Sequence, residues 1–149
     1  MKNNFVFVLC SFFIAGMLIS CNSDDDSNSN NNSTIVQLET SIKSGAWRVS
    51  SFVEDGNNQT HHFTGYAFTF SENGTVSATN GTNTVSGTWT TSSSSSSGSK
   101  FILNFNASSG PFEEISEDWR IENVTSVLID LKHVSGGDGS IDLLTFAKI

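Results

Sequence analysis

Tyr66-Ala67-Phe68-Thr69-Phe70-Ser71-Glu72-Asn73-Gly74-Thr75-Val76-Ser77-Ala78-Thr79 decides how this chain folds. Tyr66, Phe68 and Phe70 alternate with Ala67 and Thr69, a period of two that puts the large rings on one side of an extended chain. Glu72-Asn73-Gly74 then reverses direction, and an Asn-Gly pair between alternating runs is the strongest short-range hairpin signal. A second pair, Asn80-Gly81, follows at once and leads into Val85, Gly87 and Trp89. Consecutive hairpins make an antiparallel meander.

The same rhythm extends in both directions. Upstream, Trp47, Val49 and Ser51 alternate with Arg48, Ser50 and Phe52, and Glu54-Asp55-Gly56-Asn57 reads as a turn. A polar loop carrying His61 and His62 separates this strand from Tyr66. Downstream, Ser92 to Ser97 with Gly98 lacks any side chain able to specify structure and reads as a mobile hairpin loop. Phe101, Leu103 and Phe105 alternate with Ile102 and Asn104. Pro111 is placed to start a helical turn through Glu113, Glu114 and Ile115. Trp119 and Ile121 resume the alternation, and Val127, Ile129 and Leu131 continue it. Ser135-Gly136-Gly137-Asp138-Gly139 makes a flexible loop before Ile141 to Lys148. The expected fold is therefore all-β: an eight-stranded antiparallel up-and-down barrel with one short N-terminal helix. Closure removes the sheet edges that a soluble protein must otherwise defend, and a two-sheet sandwich is the alternative.

The helix is expected from Thr34, which with Gln37 forms a capping-box pattern. Ile35, Leu38 and Ile42 share one face of it, and Gly45 ends it. Before it, residues 22–33 are Asn, Ser and Asp only. Nothing apolar offsets the entropy of ordering them, so they read as a disordered tether. Asp24, Asp26 and Asn28 mimic the opening of a calcium loop, but Ser29 replaces the required Gly and Ile35 the closing Glu.

Met1 to Asn4, with Lys2, precede the apolar run Phe5 to Ile19, which is too short for a comfortable membrane span. Leu18-Ile19-Ser20-Cys21 resembles a bacterial lipobox, in which a cysteine is lipidated and becomes the new N-terminus. Leu18 at −3 suits that motif and not an ordinary secretory cleavage site, which takes small residues at −3 and −1. The resemblance implies a signal peptide over 1–20, lipid on Cys21, a tether over 21–33 and a folded domain over 34–149. Asn22-Ser23-Asp24-Asp25-Asp26 resembles the acidic export signal of surface lipoproteins in Bacteroidota-type bacteria, which implies an outer-membrane, surface-exposed address.

Removing Met1 to Ser20 takes away Lys2 and no other charge, leaving six Lys and Arg against 15 Asp and Glu, a formal net charge of −9. Such a surface repels phosphate backbones, so nucleic acid is not an expected partner. Cys10 falls in the discarded run and Cys21 carries lipid, so the folded domain has no cysteine for a disulfide or for thiol chemistry.

Gly45-Ala46-Trp47, Phe68-Thr69-Phe70 with Gly74-Thr75-Val76, Gly87-Thr88-Trp89, Asp118-Trp119-Arg120-Ile121 and Leu144-Thr145-Phe146 together resemble, in that order, the lipocalin-like domain of small bacterial surface lipoproteins. The similarity covers roughly residues 35–149. It implies a barrel plugged at one end by Trp47, closed without the C-terminal Arg that packs over that Trp in lipocalins.

No nucleophile elbow, phosphate loop or His-Glu-x-x-His is present; neither catalysis nor a cofactor nor a metal site is expected. His61 and His62, if extended, point to opposite sides and cannot chelate one ion together. His133 reads as a surface residue at a strand end. Glu113, Glu114, Glu117 and Asp118 read as a solvated acidic loop. The expected functional surface is the barrel interior and its rim. Trp47, Tyr66, Phe68, Phe70, Trp89, Phe101, Phe105 and Trp119 are the candidates to line it, among large residues that outnumber the small Ala78 and Gly87. Leu128, Leu144 and Phe146 are expected on the opposite face, against the helix or a partner. The expected role is to bind a small apolar ligand at the envelope, with membrane contact through Cys21. The alternative is an accessory module whose barrel is packed and whose loops contact an envelope protein or a glycan.

Overall fold

The computed structural model describes residues 26–137 and 139–149. The signal peptide, Cys21 and residues 22–25 of the tether lie outside the described residues, as does Asp138 in the last hairpin loop.

The helix α1 spans Asp26–Ile42, so it begins eight residues before Thr34, and the expected disorder of 26–33 is corrected. Apolar periodicity gives no hint of these first turns; contacts to the barrel supply the reason for them. Asn31 Nδ2 donates to the Ser94 carbonyl at 3.3 Å, and Ser99 Oγ donates to the Asn31 carbonyl at 2.8 Å. Thr34 is not a cap: its hydroxyl donates to the Asn30 carbonyl one turn back. Gln37 Nε2 instead donates to the Val124 carbonyl at 2.8 Å. Leu38 and Ile42 are fully buried and Ile35 packs beside them, the face read from the sequence. No helix among the described residues is long and apolar enough to cross a membrane.

The strands are β1 (Ala46–Glu54), β2 (Asn57–Asn58), β3 (Ala67–Phe70), β4 (Thr75–Thr79), β5 (Thr84–Ser94), β6 (Gly98–Asn104), β7 (Asp118–Val124), β8 (Leu128–Val134) and β9 (Ile141–Lys148). Each pairs antiparallel with its neighbour in the order β2-β1-β3-β4-β5-β6-β7-β8-β9, and β9 returns to β1. Since β2 is only the two-residue return of an Asp55-Gly56 turn, eight strands form the wall of a closed barrel. A 3-10 turn at Thr60–Phe63 and a short helix α2 (Pro111–Glu114) lie in the two longest connections between wall strands. The registers define two ends. The β5–β6 and β7–β8 turns and α1 gather at one; the connections 55–66, 105–117 and 135–140 gather at the other.

Departures from strict alternation have local causes. In β1 the ladder shifts between Val49 and Ser51, a bulge that leaves Ser50 extra and turns Phe52 to the interior, where it is fully buried. A one-residue insertion exchanges the two faces from that point on. Half of the serine run is strand: Ser92, Ser93 and Ser94 pair with Lys100, Ser99 and Gly98, leaving 95–97 as the turn. Ladder hydrogen bonds are made by the backbone, so a chain without informative side chains still extends a register set by Trp89 and Leu103. Leu144 and Phe146 face inward and are fully buried, against the expected outer placement; Val134, Ile141 and Leu143 hold the exposed face instead.

Trp47 seals the α1 end. Its Nε1 donates to the Ile42 carbonyl at 2.9 Å, and Lys148 Nζ lies 5.8 Å from its ring centroid while donating to Ser44 Oγ. A lysine from the last strand thus covers the ring.

Gly87 faces the interior where the end of β6 crosses closely. A Cβ there would sit 2.3 Å from the Asn104 carbonyl oxygen and 2.8 Å from Phe105 Cα, both backbone atoms. Gly87→Ala is therefore expected to cost about 1–3 kcal/mol, the scale of an overpacked core. Thermal unfolding followed by circular dichroism checks this; an unchanged midpoint contradicts it.

Candidate functional site

The barrel interior is filled with rings. Trp47, Phe68, Phe70, Trp89, Phe101, Phe105 and Trp119 are all buried, while Tyr66 sits at the rim, partly buried against the Phe112 ring at 5.2 Å. Four residues not singled out as lining candidates complete the packing: Phe52, Phe63, Phe112 and Phe146. Phe68 meets Phe63, Phe105, Phe112 and Phe146 at centroid distances of 6.2, 6.1, 6.2 and 5.3 Å. The chain of contacts continues from Phe146 to Phe70 at 5.8 Å and from Phe70 to Trp89 at 6.1 Å. Such separations, mostly edge to face, are those of rings in direct packing. Pro111 explains Phe112: its fixed φ starts the helical turn that swings Phe112 over the barrel end, where it touches Phe105 at 5.0 Å. Trp119 is tied to the same loop, its Nε1 donating to the Ile115 carbonyl at 3.1 Å.

Polar groups gather around this same end. Ile129, Leu131 and His133 occupy alternate positions of β8, so His133 points toward the interior and is not a surface residue; its side chain is 17% exposed. The imidazole packs edge-on to Trp119, 5.9 Å between centroids. Nε2 lies 3.8 Å from Glu117 Oε2 and 3.8 Å from Asp118 Oδ1, and Nδ1 lies 3.7 Å from Asp142 Oδ2. These exceed hydrogen-bond distances, and Nδ1 is buried with no hydrogen-bond partner among the described residues. Asp142 stands directly opposite His133 in the β8–β9 ladder, and its Oδ1 accepts the Asp55 N–H at 3.0 Å. The other oxygen of Asp118 is paired with the Lys100 ammonium.

Glu54, Asp55, Glu113 and Glu114 extend the negative rim. The Glu54 carboxyl is raised above its ordinary 4.5, first by burial and then by the charges of Glu114, Asp142, Asp55 and Glu113. Glu114 Oε2 is buried with no hydrogen-bond partner among the described residues. The expectation of a solvated acidic loop therefore holds only in part, because the acids crowd one another and a half-buried imidazole. Sequence reading missed this because Glu117, His133 and Asp142 lie on three different segments. The period-two position of His133 beside Ile129 and Leu131 was the available signal.

His61 and His62 are not extended. The 3-10 turn brings their rings to 4.0 Å, tilted by 36°, at an exposed site. Beside the rim, a cleft of about 180 Å³ is lined by Ser97, Lys100, Asp118, Arg120, Lys132 and His133. Lys100 stands opposite Arg120 and Arg120 opposite Lys132 across three adjacent strands.

These features define the class as a closed, internally packed eight-stranded barrel with an acidic rim. No family model matches the chain, and no curated protein matches it. Among solved structures it is similar to a DUF4847 family protein from Bacteroides vulgatus ATCC 8482, at 17% identity and a TM-score of 0.50, covering 75% of this chain and 97% of that one. At this identity the likeness shows the fold alone.

The Glu54 shift fixes a sign. A carboxyl raised in the folded state favours folding while protonated, and that contribution is lost as pH rises above 4.5 through the raised value. Glu54→Gln is expected to stabilise the fold at pH 7 by no more than about 0.5 kcal/mol, the scale of surface changes, and to have no effect below pH 4. Paired denaturation curves at the two pH values check this; a loss of stability at pH 7 contradicts it.

Proposed function

We propose that this protein is a lipid-anchored lipoprotein of the cell envelope whose barrel is a packed support, and which acts through its rim and outer surface on a protein or glycan partner. The observation that carries this reading is the position of Phe68, enclosed by Phe63, Phe105, Phe112 and Phe146 where a ligand-carrying barrel would keep its pocket. An eight-stranded barrel is just wide enough either to fill with side chains or to hold one small ligand. Here the rings take that space, with Phe112 and Phe63 over one end and α1 and Trp47 across the other. The envelope address is supported by the lipobox-like Leu18-Ile19-Ser20-Cys21 and the acidic run behind it.

Native mass spectrometry of the chain from Asn22 onward, made without lipid, is expected to give the bare polypeptide mass. A stoichiometric co-purifying lipid or fatty acid would overturn the packed-support reading in favour of a carrier of apolar ligands. For the address, Cys21→Ala is expected to move the protein from carbonate-washed membranes to the soluble fraction. Retention of the variant on washed membranes would end the lipid-anchor proposal.

A further inference from the structure

We infer that His133, Glu117 and Asp118 form a binding site for a divalent transition-metal ion at the barrel rim, with Asp142 as the residue that positions the imidazole. One donor atom from each of the three lies within 4.8 Å of the others. His133 Nε2 is equidistant, at 3.8 Å, from Glu117 Oε2 and Asp118 Oδ1. Bonds of about 2.0–2.2 Å to nitrogen and oxygen place tetrahedral ligands roughly 3.3–3.5 Å apart. Closing on an ion therefore takes a shift of a few tenths of an ångström toward His133 and of at most about 1.5 Å between the two carboxylates, whose side chains are 42% and 46% exposed.

A merely solvated cluster does not account for the imidazole. His133 is largely buried, is braced against Trp119, and makes no hydrogen bond among the described residues, although three carboxylates surround it. Leaving a buried polar atom without a partner is costly. An ion on Nε2 draws the carboxylates in and offsets their mutual repulsion. The neutral ring then keeps its proton on Nδ1, facing Asp142 Oδ2, the carboxylate–histidine–metal relay that fixes tautomer and orientation. Asp142 is itself held by the Asp55 N–H. Asp118 offers Oδ1 because Oδ2 is already committed to Lys100.

The donor set, one imidazole and two carboxylates, suits zinc or its neighbours better than the all-oxygen cages of calcium and magnesium. Three protein ligands leave a fourth position open, beside the cleft lined by Lys100, Arg120 and Lys132, of which Lys100 and Arg120 are paired with Asp118 and Glu122. The site stands on its own geometry and does not depend on the packed-support reading.

Isothermal titration of zinc chloride into the chain from Asn22 onward tests it. The wild type is expected to bind one equivalent with micromolar or tighter affinity. Glu117→Gln should weaken binding at least tenfold, His133→Ala should abolish it, and Asp142→Asn should weaken it about 10- to 100-fold. The His61→Ala/His62→Ala double variant should bind as the wild type does. Should His133→Ala fail to fold by circular dichroism, Glu117→Gln decides, since it removes an exposed oxygen donor and nothing from the core. Absence of saturable binding up to millimolar zinc, or binding unchanged by Glu117→Gln, overturns the site. Displacement of zinc by equimolar calcium overturns the transition-metal assignment.

Discussion

The ladder between the first and last strands of the wall holds the molecule together. Trp47 pairs with Lys148, Val49 with Phe146, and Phe52 with Leu144, so the two strands most distant in sequence complete the circuit. Every other wall pairing joins consecutive wall strands and can form locally. This one must wait until the whole chain has rolled up, and it brings Trp47, Phe52, Leu144 and Phe146 into a common interior. Without it the sheet has two open edges and the aromatic core has no fourth side. The Ser50 bulge belongs to this constraint, because only a shift of one residue lets both Trp47 and Phe52 face inward along a single strand.

Filling the barrel with rings leaves its interior occupied by its own side chains. Phe and Trp side chains bury large areas and add about 0.5–1.5 kcal/mol per well-placed pair beyond that area. A contiguous network of them resists opening, and an apolar guest would have to displace contacts already made. The same packing gives the rim its rigidity. Trp119 is pinned through Ile115, His133 leans on Trp119, and Asp142 faces His133 across a ladder rung. Charged groups that repel one another are held close because the apolar structure beneath them does not yield.

The architecture was legible because it rests on local signals. Alternation around Phe68 and Phe101, the Asn73-Gly74 reversal and Pro111 all act over a few residues, and the closed barrel follows from adding them up. Features that depend on distant partners were not legible. The polar turns of α1 are ordered by Ser94 and Ser99, more than 60 positions away. Ser92 to Ser94 become strand because β6 supplies a partner, and no side chain announces it. Phe52 was assigned to the wrong face because a bulge leaves no mark in the hydrophobic pattern. The lining rings were readable as large inward residues, whereas the rim needed Glu117, His133 and Asp142 to be brought together by the closed sheet.

The early start of α1 also bears on orientation. Cys21 precedes Asp26 by five positions, and extended chain spans at most about 3.3–3.6 Å per residue, so the helix begins within roughly 18 Å of that cysteine. If Cys21 is buried in a bilayer by its acyl chains, the α1 end of the barrel is the one held near the lipid. The rim that carries His133 and its carboxylates then lies at the far pole, away from the headgroups. With that anchor in place, a short leash on one pole and an electronegative crown on the other would give the molecule a built-in direction.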